Sequence, residues 1–334
     1  MANLIRMKQL GILVPDDQTS MSTIACIVGS YQVFSAANAF FEKMGRKPVF
    51  KVDLVSASDA KLLKNGFLSI NSNLTIKESH ENDLIIIPAT SIRSYETATE
   101  NNKLLIDWIK VQYKQGAEVA SMCAGGFMLA STGLLAGKIC STHWALADEF
   151  KGLFPNVDLQ TDKLITDENG IYTNGGAYSF LHLLMYLVEK FYDRKAAIYC
   201  AKYFQIDLDR NLQSEFLIFK GHKNHNDEVI LDAQTFMEDN YHDKISIEDL
   251  SLKFGLSRRN FDRRFIKATG LRPFDYLQRI KVEVAKKEFE NSRKSVNEVM
   301  YEVGYMDAKA FREVFSRITG TTPIDYKAKY NMGS

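Results

Sequence analysis

Ile247-Glu-Asp-Leu-Ser-Leu-Lys-Phe-Gly-Leu-Ser-Arg-Arg-Asn-Phe-Asp-Arg-Arg-Phe-Ile-Lys-Ala-Thr-Gly270 and Val296-Asn-Glu-Val-Met-Tyr-Glu-Val-Gly-Tyr-Met-Asp-Ala-Lys-Ala-Phe-Arg-Glu-Val-Phe-Ser-Arg-Ile-Thr-Gly320 are two copies of one pattern. Gly255 matches Gly304, Phe261 matches Phe311, and Phe265 matches Phe315. Gly270, Pro273 and Tyr276 then match Gly320, Pro323 and Tyr326. The second copy carries one extra residue at its turn. A repeat of this kind fixes architecture, because each unit must bury the same face. In each copy a short amphipathic helix (Ile247, Leu250, Phe254; Val296, Val299, Val303) stops at a glycine able to take φ > 0. Ser257 or Asp307 then caps a second helix, whose phenylalanines four apart share one face.

The opposite face of the first copy's second helix carries Arg259 and Arg263, also four apart. A helix buried on one side and lined with arginine on the other suits the major groove, where Arg pairs with guanine in a bidentate way. The net charge of +1 excludes a generally basic nucleic-acid binder, so affinity must come from a local patch. Between 253 and 294 such a patch exists, with 13 basic residues against 5 acidic ones.

These two units, each closed by Gly-x-x-Pro-x-x-Tyr (Gly270 to Tyr276, Gly320 to Tyr326), resemble the AraC/XylS family of transcription regulators over about 227–330. The resemblance implies seven helices, two of them recognition helices joined by one long helix at 274–291. It implies double-stranded DNA as partner, read by Arg258, Arg259, Asn260, Arg263 and Lys267 in the first copy. In the second, Lys309 and Arg312 are the expected contacts, with Ala308 and Ala310 close to base edges. Glu313 parallels Arg263, so base reading there is expected to be weaker or different. The helix starts at Ser257 and Asp307 are expected near phosphates.

The first two hundred residues alternate between strand and helix patterns, with strands expected at 9–15, 49–56, 83–88 and 117–122 and a hairpin at 67–76. Helices are expected at 22–44, 101–115 and 178–191. Continuous apolar strands separated by helices predict a parallel sheet covered on both faces, with ligands at the carboxyl ends of the strands. One strand end reads Ser121-Met-Cys123-Ala124-Gly-Gly, the form of a nucleophile elbow, where helix-start N–H groups favour a thiolate. Downstream, 137–143 reads as a strand ending in His143. This half resembles the PfpI and class I glutamine-amidotransferase-like superfamily over about 10–203. Joined to the tail, it resembles the GlxA-like branch of regulators, which Thr173-Asn-Gly-Gly-Ala177 also fits. The fold class implied is α/β, a parallel-sheet flavodoxin-like sandwich, followed by an all-α domain with two helix-turn-helix units.

A working cysteine needs a lowered pKa and a partner to move protons. Superfamily enzymes carry an acid on the first helix, and here that position falls near Cys26. Where enzymes place oxyanion-binding glycines, this chain has Pro88-Ala89-Thr90. Both departures argue against hydrolysis, leaving Cys123 and His143 as vestigial catalytic candidates. The expected role is a ligand pocket lined by Cys123, Ala124, His143, Ala89 and Thr90, taking a small-molecule effector without turnover. The competing reading is a thiol-dependent amidase or hydrolase with Cys123 as nucleophile and an accessory helical domain.

No cofactor or metal is expected. His222 and His225 lack the carboxylate or cysteine set that would complete a metal site. The four cysteines form no C-x-x-C pair and fit a reducing compartment. The N-terminus lacks a signal-peptide core, and no apolar run approaches membrane-spanning length, so the expectation is a cytoplasmic protein with no membrane partner. A length of 334 residues suggests two or three domains. The expected division is 8–218 for sensing or self-association, a polar linker at 219–227, and 228–330 for DNA binding. A homodimer through the first domain is what the family implies.

Overall fold

The strand Leu84–Ile87 is four apolar residues long and buried throughout, with Leu84 and Ile86 in one core and Ile85 and Ile87 in the other. Strand geometry sends alternate side chains to opposite faces, so a strand apolar at every position must be covered on both. That strand is β6 of a computed structural model describing residues 6–15, 20–57, 62–64, 69–90, 99–208 and 212–331. The chain divides into two units, residues 1–213 and 214–334.

In the first unit β1 (Lys8–Val14) is followed by α1 (Met21–Lys43) and β2 (Phe50–Ser56). A small pair, β3 (Leu62–Lys64) and β4 (Ser69–Asn71), precedes β5 (Leu74–Thr75), β6, α2 (Lys103–Lys114), β7 (Glu118–Met122) and α3 (Gly125–Ser131). Then come β8 (Ile139–Cys140), α4 (Ala147–Leu153), β9 (Asp158–Leu159), β10 (Ile165–Glu168), β11 (Ile171–Asn174), α5 (Phe180–Phe191) and α6 (Arg194–Phe204). The main sheet runs β10-β11-β7-β6-β1-β2-β5 and is parallel except where β10 pairs antiparallel with β11. One face is covered by α1, α5 and α6, the other by α2, α3 and α4.

Three expectations for this half need correcting. The hairpin at 67–76 partly lies outside the described residues. Of the rest, Ser69–Asn71 pairs back with Leu62–Lys64, whereas Leu74–Thr75 joins β2 in the main sheet. The strand expected to end in His143 is only Ile139–Cys140 and pairs with β9 outside the main sheet. A third concerns α1: 23 residues long, with an 18-residue stretch of mean hydropathy 1.4, it is long and apolar enough to cross a membrane. Its composition has a physical cause within the fold. Ile24, Ile27, Val33, Phe34, Ala37 and Phe41 are buried against the sheet and α6, and Gly29 meets Phe180, whose Cε2 would stand 2.6 Å from an added Cβ.

The second unit opens with a segment lacking long elements, residues 214–227, and continues as seven α-helices among the described residues. These are α7 (Glu228–Asp239), α8 (Ile247–Lys253), α9 (Arg258–Thr269), α10 (Pro273–Asn291), α11 (Val296–Glu302), α12 (Ala308–Thr319) and α13 (Pro323–Tyr330). Two cores form, one on Phe261, Phe265 and Tyr276, the other on Phe311, Phe315 and Tyr326, and α10 supplies residues to both. The repeat extends to its hydrogen bonds. Thr269 Oγ1 donates to Phe265 O and Thr319 Oγ1 to Phe315 O, each at 2.8 Å, and Gly270 and Gly320 take φ of 72° and 80°. Each Tyr then donates to a carboxylate, Tyr276 to Glu238 at 2.8 Å and Tyr326 to Glu290 at 2.5 Å.

The segment expected as a free linker is held instead. Phe219 packs its ring on Tyr276 with centroids 5.1 Å apart, and Gly221 O accepts from Tyr276 Oη at 3.1 Å. Asp227 caps α7 and accepts two hydrogen bonds from Arg264, at 2.5 and 2.9 Å. Its polar composition therefore serves the second unit's backbone and charges, and the division falls after Gln213.

Candidate functional site

The buried phenylalanines of α9 leave a solvent face on which Arg258, Arg259, Arg263 and Lys267 are exposed and Asn260 is half-buried. These side chains are not equivalent. Arg258 Nε donates to both carboxylate oxygens of Asp262, at 3.1 and 2.9 Å. Arg263 Nη2 donates to Asn260 Oδ1 at 2.9 Å. Arg259 and Lys267 make no ion pair among the described residues. Arg264, one residue beyond Arg263, turns to Asp227 and serves the fold.

On α12 the face carries Lys309, Ala310, Arg312 and Glu313 exposed, with Ala308 half-buried. Lys309 lies 4.0 Å from Glu313, so the position that parallels Arg263 draws on a cation here. Arg317 donates to Gln278 Oε1 at 2.6 Å and ties the helix to α10. Asp307 caps α12 by accepting from Ala310 N at 2.6 Å, as its residue type predicts. Ser257 has the extended backbone of a cap but makes no side-chain cap bond. Met306, beside the cap, is 86% exposed; nothing in the repeat pattern marks it.

The basic patch is smaller than its composition suggests. Lys286 is buried, donating to Leu217 O and to Glu283 Oε2, the latter at 3.2 Å. Lys281 is also buried, its Nζ 3.5 Å from Gly304 O, and burial lowers its pKa. Both lysines hold the second unit together.

In the first unit Cys123 follows β7 directly at φ 53°, a conformation that strains any residue with a Cβ. Gly125 permits the turn that follows, since an added Cβ would stand 2.4 Å from Pro88 O. The thiol is 8% exposed. Burial raises its pKa, and the backbone N–H groups of Ala177 and Ala124 only partly offset this. A thiolate favoured by the helix start is therefore corrected: desolvation outweighs the N–H groups. Cys26 shares this core, and burial pushes its pKa up to about 12, with the nearby Cys123 adding to the rise.

His143 begins a single 3-10 turn, Trp144–Leu146, and its Nδ1 accepts from Ala145 N at 3.1 Å. No hydrogen bond joins it to Cys123 among the described residues, and burial lowers its pKa. Thr142 Oγ1 donates to Cys123 O at 2.9 Å, and Thr90 Oγ1 donates to Ala124 O at 3.1 Å. Ala89, Thr90, Cys123 and Ala124 thus gather at the carboxyl ends of the adjacent central strands β6 and β7. Facing the thiol is a segment that sequence reasoning left without a role: Gly175, Gly176 and Ala177, the last at φ 36°. Gly176 lies against His143, whose Cδ2 would be 3.0 Å from an added Cβ. All four cysteines are free and buried, and no cluster of metal-binding type occurs among the described residues.

An elbow cysteine at the carboxyl end of a central strand in a mostly parallel sheet, followed by twin helix-turn-helix units on one shared helix, defines a two-part class of protein. The DJ-1/PfpI family matches residues 28–190, and the helix-turn-helix domain family matches residues 250–329. The chain thus carries a DJ-1/PfpI-family domain followed by a helix-turn-helix domain, the two-part layout of the AraC-family regulators that it resembles. It is similar to the HTH-type transcriptional regulator GbdR of Pseudomonas aeruginosa, 24% identical over 229 residues, 68% of this chain and 62% of GbdR. The chain therefore spans less than two thirds of that relative. It is also similar to the regulator CdhR of the same organism, 18% identical over 90% of this chain and 87% of CdhR. A solved Vibrio parahaemolyticus protein shares the fold of the first part, with a TM-score of 0.51 and 20% identity over 59% of this chain and 99% of its own.

Proposed function

We propose that this protein is a cytoplasmic, sequence-specific DNA-binding transcription regulator whose first unit senses a small molecule or mediates self-association as a homodimer. The observation that carries the reading is the pair of exposed faces, Arg259 and Arg263 on α9 and Lys309 and Arg312 on α12. Each stands on a helix whose opposite side is buried. Two such helices built around one shared α10 suit successive major-groove segments on one side of a duplex, about 34 Å apart. Arg263, with Asn260 beside it, and the unpaired Arg259 are the base-reading candidates. Ala308 and Ala310 are small enough to bring the α12 backbone close to base edges. Selection of bound duplexes from a random pool tests this. The expected result is two short conserved boxes about one helical turn apart, and a pool without enrichment would end the reading.

The first unit is proposed as a ligand pocket around Cys123, Ala124, His143, Ala89 and Thr90, without catalysis. A buried thiol with a raised pKa and a histidine bonded elsewhere do not form the ion pair that thiol hydrolysis uses. The names of the relatives, transcription regulators, agree with this.

A further inference from the structure

Gln213 is the last residue of the first unit, and its side chain is 1% exposed. Its amide is fully used. Nε2 donates to Thr142 O at 3.0 Å, Lys163 O at 3.2 Å and Ser141 Oγ at 3.3 Å, and Oε1 accepts from Gly176 N at 3.0 Å. Gly175 makes room for it, since an added Cβ would stand 2.5 Å from the amide carbon and oxygen. Two of the residues that hold Gln213, Thr142 and Gly176, adjoin the thiol. Thr142 bonds to Cys123 O and precedes His143, while Gly176 precedes Ala177, whose N–H faces the Cys123 sulfur. Gln213 is thus clasped by both backbone segments around the pocket.

The next residue, Ser214, opens the second unit, and the chain from there runs over that unit as a strap. The Glu215 carboxylate pairs with Lys329 of α13 at 2.9 Å. Leu217 O accepts from Lys286, and Phe219 N donates to Glu283 Oε2 at 3.2 Å, both midway along α10. Gly221 O accepts from Tyr276 at the start of α10 and from Gln234 of α7. The strap therefore bonds to elements of both helix-turn-helix halves. Lys286 and Glu283 form a buried ion pair whose further partners are strap backbone, so lifting the strap leaves two buried charges short of hydrogen bonds.

We propose that Gln213 and residues 214–221 couple the Cys123 pocket to the DNA-reading helices. A ligand that reorders the 175–177 segment unseats Gln213, and the displaced Gln213 pulls on the strap through a single peptide bond. The strap then shifts the relation of the two halves along α10. The inference rests on reading Cys123 as the centre of a sensing pocket. Such coupling requires an element that both sites touch, and the strap, joined to Gln213 at one end and hydrogen-bonded to α10 and α7 along its length, meets that requirement.

Hydrogen exchange on the full chain tests the coupling without DNA or effector. Gln213→Ala should speed exchange about fivefold at 214–221 and near 283–286, the loss of one hydrogen bond's net worth, while β1 and β6 keep their rates. Glu215→Gln, which weakens one half-buried ion pair and touches no apolar core, should speed exchange at 175–178. Linkage demands this reciprocity. A change confined to the mutated unit in either variant overturns the proposal, and protection in β1 reveals any Gln213→Ala chain that fails to fold. A third arm separates the pocket reading. If Cys123 alkylated by iodoacetamide at pH 9 leaves strap exchange untouched while both variants still act across the junction, the coupling stands and the sensing role of Cys123 falls.

Discussion

Arg263 and Asp262 are neighbours on α9 with opposite expected effects on DNA. Arg263 is exposed and held by Asn260, so a planar donor pair is already oriented outward. Arg263→Ala should weaken specific binding by about 1–3 kcal/mol and relax preference at one or two base positions, read by repeating the random-pool selection. Asp262 places a carboxylate on the same face and engages Arg258. Asp262→Asn should free Arg258 for phosphate, so non-specific affinity should rise and the salt dependence steepen by about one counterion. An unaltered salt slope would show that Arg258 does not reach DNA. At Cys123 the raised pKa predicts chemistry that is slow at neutral pH. Alkylation by iodoacetamide should climb with pH beyond the ordinary thiol value of 9.0. A rate already level near pH 7 would mean a thiolate there and restore the hydrolase reading. At this scale the sequence carried residue types well but pairings poorly. The i,i+4 spacing of Arg258 and Asp262 allowed their pairing, but nothing in Arg264 says that Asp227 holds it, because that contact arises from where the neighbouring segment sits.

The two helix-turn-helix elements look interchangeable in sequence and are not so in packing. Gly255 and Gly304 both take positive φ, 68° and 76°, at the same point of the turn. An added Cβ at Gly255 meets open space, whereas at Gly304 it would stand 2.3 Å from His242 O and 2.8 Å from Lys281 Nζ. The turn of the second half is thus pressed against the α7–α8 loop of the first. Gly255→Ala should cost about 1–2 kcal/mol from backbone strain alone, and Gly304→Ala at least about 3 kcal/mol, measured by urea unfolding. Equal losses would mean that the halves do not lean on each other. The contrast shows what was legible. Periodicity gave β1, α1, β6, α2, β7 and the paired short helices α8, α9, α11 and α12, because burial of one or both faces writes itself into the pattern, while the long α10 came from the family resemblance. It failed at 67–76, where very short strands carry little alternation, and at 137–143, where apolar residues surround a strand of two. The Gly175-Gly176 pair was legible only as a family feature; that Gly175 makes room for Gln213 emerges from packing.

For the molecule as a whole, the decisive question is where one unit ends and the next begins. Polarity placed the junction at 219–227, because loops and linkers share a composition. Packing places it after Gln213, because those polar residues satisfy charges and hydroxyls of the second unit. A chain beginning at Ser214 keeps every strap contact. One beginning at Asp227 loses the Phe219 ring on Tyr276, the Leu217 carbonyl on Lys286, the Phe219 N–H on Glu283 and the Gly221 carbonyl shared by Tyr276 and Gln234. Water would reach the uncovered groups and replace some of these bonds, so the loss stays below that of an ion pair broken in a dry core. The expected difference in unfolding free energy between the two chains is about 2–4 kcal/mol, most of it from the aromatic contact and from charged or phenolic groups left one partner short. Equal urea midpoints would return 219–227 to the status of a free tether. The strap could then carry nothing between the units, since a segment that does not stabilise the second unit when docked cannot perturb it when displaced.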